Sequence, residues 1–186
     1  MARNPNTRSR DMFLSMAVIV VPVLLLVWFF SSPGEEEPQR VDVAAQLKRA
    51  TVESPYPLLV AEGLGSGWVP VRAAWALEGQ PWITGEPAEA NSWQVGYLSP
   101  DGIYFGVQQR DGAEVAFVRS ATREGHAVGG AVEAAGRSWD RYESKDGRTL
   151  SLVSEGAADT AVVAADADFV ALEAFVATLT EAAPQS

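Results

Sequence analysis

Nineteen consecutive residues, Met12 to Phe30 (MFLSMAVIVVPVLLLVWFF), carry no charge, and only one serine and one proline interrupt their apolar character. A helix of that length spans roughly 28 Å, close to the hydrocarbon thickness of a bilayer. Pro22 falls mid-run, where a membrane helix tolerates the lost hydrogen bond by local adjustment. Trp28, Phe29 and Phe30 close the run where an interfacial aromatic belt would lie. A buried core helix would need a polar face, and this run has none. A cleavable signal peptide would have a shorter apolar core and a small residue where Phe30 stands, and a cut after Gly34 is the weaker alternative. The sequence therefore predicts an uncleaved transmembrane helix over 12–30, in contact with the lipid bilayer.

Charge sets the expected orientation. Arg3, Arg8 and Arg10 precede the run against a single Asp11, and Glu35, Glu36 and Glu37 follow it. Because basic residues stay on the cytoplasmic side, residues 1–11 are expected in the cytoplasm, with the C-terminal domain outside the plasma membrane. The formal charge of −10 then splits into +2 on residues 1–30 and −12 on residues 31–186. An acidic exterior of that size keeps a domain soluble near an anionic membrane and has the wrong sign for nucleic acid. There is no cysteine. Disulfides, thiolate metal sites, cysteine nucleophiles and an acyl-cysteine anchor are all excluded, and an exported domain must rely on its core alone.

Residues 31–40 (SSPGEEEPQR) read as a linker, 41–183 as one extracytoplasmic domain and 184–186 as a tail. Asp42 is placed to cap a helix running to about Thr51, with Val43, Leu47 and Ala50 on its apolar face. Ser54-Pro55-Tyr56-Pro57 ends it. Glu62 to Gly67 reads as an irregular connection, and a strand follows from Trp68, which Pro70 demotes to an edge or a bulge. Residues 78–91 read as a loop. Ser92 to Leu98 and Ile103 to Gln109 form a hairpin about Ser99-Pro100-Asp101-Gly102. Residues 113–121 lean to a short helix. A second hairpin joins 137–143 to 149–153 through Lys145-Asp146-Gly147, and a further strand covers 160–164. Asp166 and Asp168 suit the start of a final helix carrying Phe169, Leu172, Phe175, Val176 and Leu179. Hairpins followed by a packing helix indicate α+β, with an antiparallel sheet covered on one face.

No catalytic, cofactor or metal signature emerges. Gly63-Leu64-Gly65-Ser66-Gly67 lacks a third dinucleotide-type glycine, precedes a strand rather than a helix, and places Leu64 where a nucleophile elbow needs serine. His126 is the single histidine, and Glu124-Gly125-His126-Ala127 reads as exposed loop. Asp159, Asp166 and Asp168 approach a cluster, but their simpler roles are turn and helix cap. Trp75, Trp93 and Trp139 fit strand faces and are expected in the core. Pro81-Trp82-Ile83 sits instead in a loop, where it either tucks onto the core or contributes to a partner surface.

The order of Val41-Asp42, Tyr56-Pro57, Gly63-Leu64, Gly67-Trp68, Trp93, Gly96-Tyr97-Leu98 and Gly136-Arg137-Ser138-Trp139 behind a membrane segment resembles an actinobacterial family. That family comprises single-pass membrane proteins catalogued as a domain of unknown function. Ala164-Ala165 stands where the resemblance leads one to expect Thr-Gly. The resemblance implies an extracytoplasmic α+β domain and lends no activity. The expected function is a non-enzymatic binding or accessory module of the cell envelope, contacting an envelope protein or component. A carboxylate-dependent hydrolase and a sensor or accessory subunit of a membrane complex are the alternatives.

Overall fold

Asp42 starts a helix as the sequence suggests. Its carboxylate accepts a hydrogen bond from Ala45 N at 3.0 Å and caps helix α2, Val43–Glu53. The computed structural model describes the backbone of residues 6–30, 38–112 and 114–184, and the side chains of 13–27, 38–112 and 115–184. The chain divides into two compact units, Met1–Glu37 and Pro38–Ser186. In the first, α1 covers Asn6–Phe30 with Pro22 inside it. Every large apolar side chain described on α1, from Phe13 to Val27, is exposed. Among the described residues no helix is long and apolar enough to cross a membrane. Residues 1–5 and 31–37 lie outside the described residues, as do the side chains of Met12 and 28–30 at the ends of the expected span.

The second unit is built on a seven-stranded antiparallel sheet ordered β2-β3-β4-β8-β7-β6-β5. Its strands are β2 (Val69–Ala76), β3 (Ser92–Leu98), β4 (Tyr104–Arg110), β5 (His126–Ala134), β6 (Arg137–Glu143), β7 (Leu150–Glu155) and β8 (Thr160–Ala165). The α+β class with helices against an antiparallel sheet is thus as expected. Pro70 does both things predicted of it: β2 is an edge strand, and its register slips between Pro70 and Arg72. The 99–102 turn closes with Gly102 N bonded to Ser99 O and Ser99 N to Ile103 O. Helix α3 (Glu114–Ala121) and helix α4 (Phe169–Val176) complete the elements between the strands, and Asp168 caps α4 through Ala171 N.

Three expectations are corrected. The sheet is covered on both faces. One face carries α2, α4 and the main core around Trp93, Val95, Val107, Trp139, Leu152 and Val163. The other is covered in part by α3, whose Phe117, Val118 and Ala121 pack on Val153 and Val162. The His126 stretch is exposed as expected, but it is edge strand β5 rather than loop. Its pairing with β6 skips between Ala127 and Ala131, around Gly129-Gly130, so alternation is lost. Finally, the last helix stops at Val176, and Leu179 opens β9 (Leu179–Ala182).

Strand β9 pairs with β1 (Leu58–Ala61), an element with no local sequence signal, to make a separate two-stranded ribbon. Backbone groups on such a buried ribbon must find partners. Three side chains of the large sheet supply them. Gln109 Oε1 accepts from Leu59 N at 2.6 Å, Trp93 Nε1 donates to Leu59 O at 2.9 Å, and the Tyr97 hydroxyl accepts from Ala61 N at 3.2 Å. The ribbon is therefore fastened to the sheet by side chains rather than by strand pairing.

Candidate functional site

The polar centre of the domain grows out of that join. Gln109, fully buried on β4, donates from Nε2 to Pro57 O at 3.0 Å and to Asp159 Oδ2 at 2.8 Å. Arg137 grips Asp159 with two prongs, Nη1 to Oδ2 at 3.0 Å and Nη2 to Oδ1 at 2.9 Å, while its Nε donates to Glu181 at 2.9 Å. Burial works to lower the Arg137 pKa, but the hydrogen bonds and charges of Asp159 and Glu181 outweigh it and hold the pKa raised. The Tyr56 hydroxyl donates to Asn91 O at 2.8 Å, and burial, with Asp111 and Asp159 nearby, pushes its pKa far up. Asp159 is the one buried carboxylate among the described residues. The sequence reading gave it a turn, and its carbonyl does accept from Gly156 N. Its larger part was missed; Arg137 within Gly136-Arg137-Ser138-Trp139 was the only available signal. Both carboxylate oxygens are engaged by Arg137, so this group joins β6 to β8 and β9 and is poorly placed for proton transfer.

Asp166 and Asp168 do not gather around Asp159. Asp166 accepts from the Thr149 hydroxyl and lies 3.6 Å from Arg123. Among the described residues, no three His, Asp or Glu side chains are placed to hold a metal ion.

Two openings among the described residues bring aromatics together with residues singled out from the sequence. The glycine-rich loop 63–67 borders a cavity of about 460 Å³ with Leu64, Trp68, Pro100, Ile103, Phe105 and Phe175 on its walls. Trp68 stacks on Phe175 at 5.5 Å and meets Phe105 edge-on at 5.1 Å. The loop leads into strand β2, whereas a phosphate-binding glycine loop leads into a helix.

The second opening, a cleft of about 500 Å³, lies between the end of α2, the end of β2 and the 78–91 loop. Arg49, Glu53, Trp75, Ala76, Leu77, Gln80 and Pro81 line it. Trp75, expected in the core, packs against the main core cluster but is only partly buried, on edge strand β2. Its indole is nevertheless fixed. Nε1 donates to Glu53 Oε2 at 2.9 Å, and Tyr56 meets the ring edge-on at 6.0 Å. The neighbouring loop is a small closed structure: Gly79 N bonds Ala88 O, Trp82 N bonds Glu86 O, and Pro81 bridges Pro87. Within it Pro81 and Ile83 are exposed and Trp82 is half-buried, outside the main core cluster. Of the three residues singled out from sequence, Pro81 joins the cleft wall, whereas Trp82 and Ile83 do not.

No curated protein and no solved structure matches this chain. The family described as "Protein of unknown function (DUF4245)" matches residues 5–179, nearly the whole chain, and the chain belongs to that family.

Proposed function

We propose that this protein is a membrane-anchored binding or accessory module of the cell envelope, without catalytic activity. Residues 12–30 hold it in the plasma membrane, with its N-terminus cytoplasmic and the 41–183 domain outside. The anchor is supported by the uncharged run and by the arginines before it, and the described side chains of α1, residues 13–27, are apolar but for Ser15. The observation that carries the binding role is the cleft at Trp75. A large aromatic side chain is pinned by Glu53 and Tyr56 and only partly buried, beside the exposed Pro81 and Ile83. Fixing such a residue in place lowers the entropy cost of contact, which favours recognition of a partner or an envelope component.

A reporter active only outside the cytoplasm, fused to the C-terminus, is expected to be active; an expressed but silent fusion overturns the topology. Proximity labelling from the anchored protein is expected to recover envelope neighbours that are lost when Trp75, or Pro81, Trp82 and Ile83 together, are replaced by alanine. Unchanged neighbours would remove this surface from the binding role.

A further inference from the structure

We infer that the Trp75 cleft is a subsite for a neutral saccharide, a specification that rests on the binding reading above. The chemistry of its walls selects the ligand class. Trp75, Leu77 and Pro81 give apolar surface, and Glu53, Arg49 and Gln80 give a carboxylate, a guanidinium and an amide. Each of the last three is planar and offers two polar atoms side by side, the spacing that matches adjacent hydroxyls on a sugar ring.

These groups retain bonding capacity. The Trp75 indole occupies Glu53 Oε2, and Glu53 Oε1 has only the long 4.0 Å approach of Arg49 Nε. The Arg49 side chain is 74% exposed, which leaves its terminal nitrogens facing water. The backbone of Gln80 is tied into the loop through Leu77 O and Ala88 N, while its exposed side chain makes no hydrogen bond among the described residues. The cleft thus carries a loosely paired guanidinium and carboxylate, each with bonding capacity left over, next to a held aromatic ring.

Other ligand classes fit less well. An acyl chain would bury the carboxylate, guanidinium and amide without partners, which is strongly unfavourable. An anion would meet Glu53, and a simple cation would meet Arg49. A pyranose meets both halves of the wall: its C–H face lies against an indole, and its hydroxyls both donate to a carboxylate and accept from a guanidinium. The volume of about 500 Å³ lies within the range of small-molecule sites and accommodates a short oligosaccharide.

The test is calorimetric titration of the full chain, held in a detergent with a non-sugar headgroup. The probes are neutral hexasaccharides of glucose, galactose and N-acetylglucosamine. At least one is expected to bind saturably. Trp75→Ala is expected to weaken that binding by about tenfold or more, and Gln80→Ala by about threefold. Gln80 is exposed and bonds nothing with its side chain, so its variant remains folded even where Trp75→Ala does not. Leu64→Ala, at the other cavity, is expected to leave binding unchanged. No saturable binding to any probe overturns the saccharide assignment, as does binding indifferent to both Trp75 and Gln80. If the sugars fail while Trp75→Ala still changes the labelled neighbours, the binding reading survives and only the ligand class falls.

Discussion

The phenol ring of Tyr104 lies across Gly96 on the adjacent strand, so close that a β-carbon on Gly96 would sit 2.2 Å from the hydroxyl oxygen and 2.5 Å from the ring. Glycine at this point on β3 is thus the footprint of a side chain on β4. Gly96→Ala must displace the whole ring, and the expected cost is about 1–3 kcal/mol, read from urea midpoints. Tyr104→Ala should remove most of that penalty. If the two changes simply add, the ring is not what excludes a side chain from position 96.

The grip of Arg137 on Asp159 leads to a second expectation. Asp159→Ala leaves a guanidinium largely buried with only Glu181 beside it, and is expected to cost about 3–5 kcal/mol in denaturant unfolding. Arg137→Lys keeps the charge but loses the two-pronged geometry, and should recover only a minor part of the loss. A lysine variant as stable as the parent would show that charge alone, not the fork, holds β6 to β8.

Between β5 and β6 the chain turns on two residues, Ala135 at φ 53° and Gly136 at φ 71°. This is the pattern of a tight hairpin turn whose twist suits the flanking strands, and it explains the glycine that precedes Arg137. Alanine bears a left-handed conformation at a cost of roughly 1 kcal/mol or more. Ala135→Asn and Ala135→Gly are therefore expected to raise the thermal midpoint, with asparagine the better of the two. A fall with both would contradict the turn.

Alkaline stability follows from three tyrosines. Burial raises the hydroxyl pKa of Tyr56, Tyr97 and Tyr104 above the ordinary 10.0. The unfolded chain then releases these protons at lower pH than the folded one. The stabilising contribution is complete below about pH 10 and declines as pH rises past it toward the raised values. Denaturant midpoints should be steady on the acid side of that value and fall beyond it, with phenolate absorbance rising alongside unfolding. Replacing Tyr56 by Phe should flatten the decline, even though the lost bond to Asn91 O lowers the plateau.

The elements that could be read in advance are those written locally. The Pro100-Asp101-Gly102 and Lys145-Asp146-Gly147 turns each lie between alternating strands, and Asp42 and Asp168 each stand one residue before a helix. Pro70 carried its own consequence, because a ring without an N–H is confined to an edge or a bulge wherever the strand falls. The ribbon was invisible for the opposite reason. Leu58 and Ala182 are paired across almost the entire domain, and their strands are four residues each, too short to show a period. Leu179 continued the helical spacing of Phe175 and Val176, and only a partner far away in the chain draws it into a strand. β5 was hidden by Gly129-Gly130 and by exposure on both faces. The candidate site is half legible: Pro81 falls in a loop that reads as either tucked or a contact surface, and Trp75 packs on the core as its strand face suggests but also lines the cleft. What exposes it is its place at the end of the edge strand, which a single-strand pattern does not encode.

The β1–β9 ribbon also sets the order in which the domain can be completed. Leu58 to Ala61 have no strand partner until Leu179 to Ala182 exist, and Glu181 supplies the final bond to Arg137. A chain emerging from the ribosome N-terminus first would form the 92–110 and 137–155 hairpins early. It would carry Leu58, Leu59 and Val60, all buried in the finished fold, without their cover until Leu179 to Ala182 arrived. Completion is thus withheld until residues 179–182 are made, and a chain cut short before residue 179 is marked as incomplete by the apolar strand it cannot close.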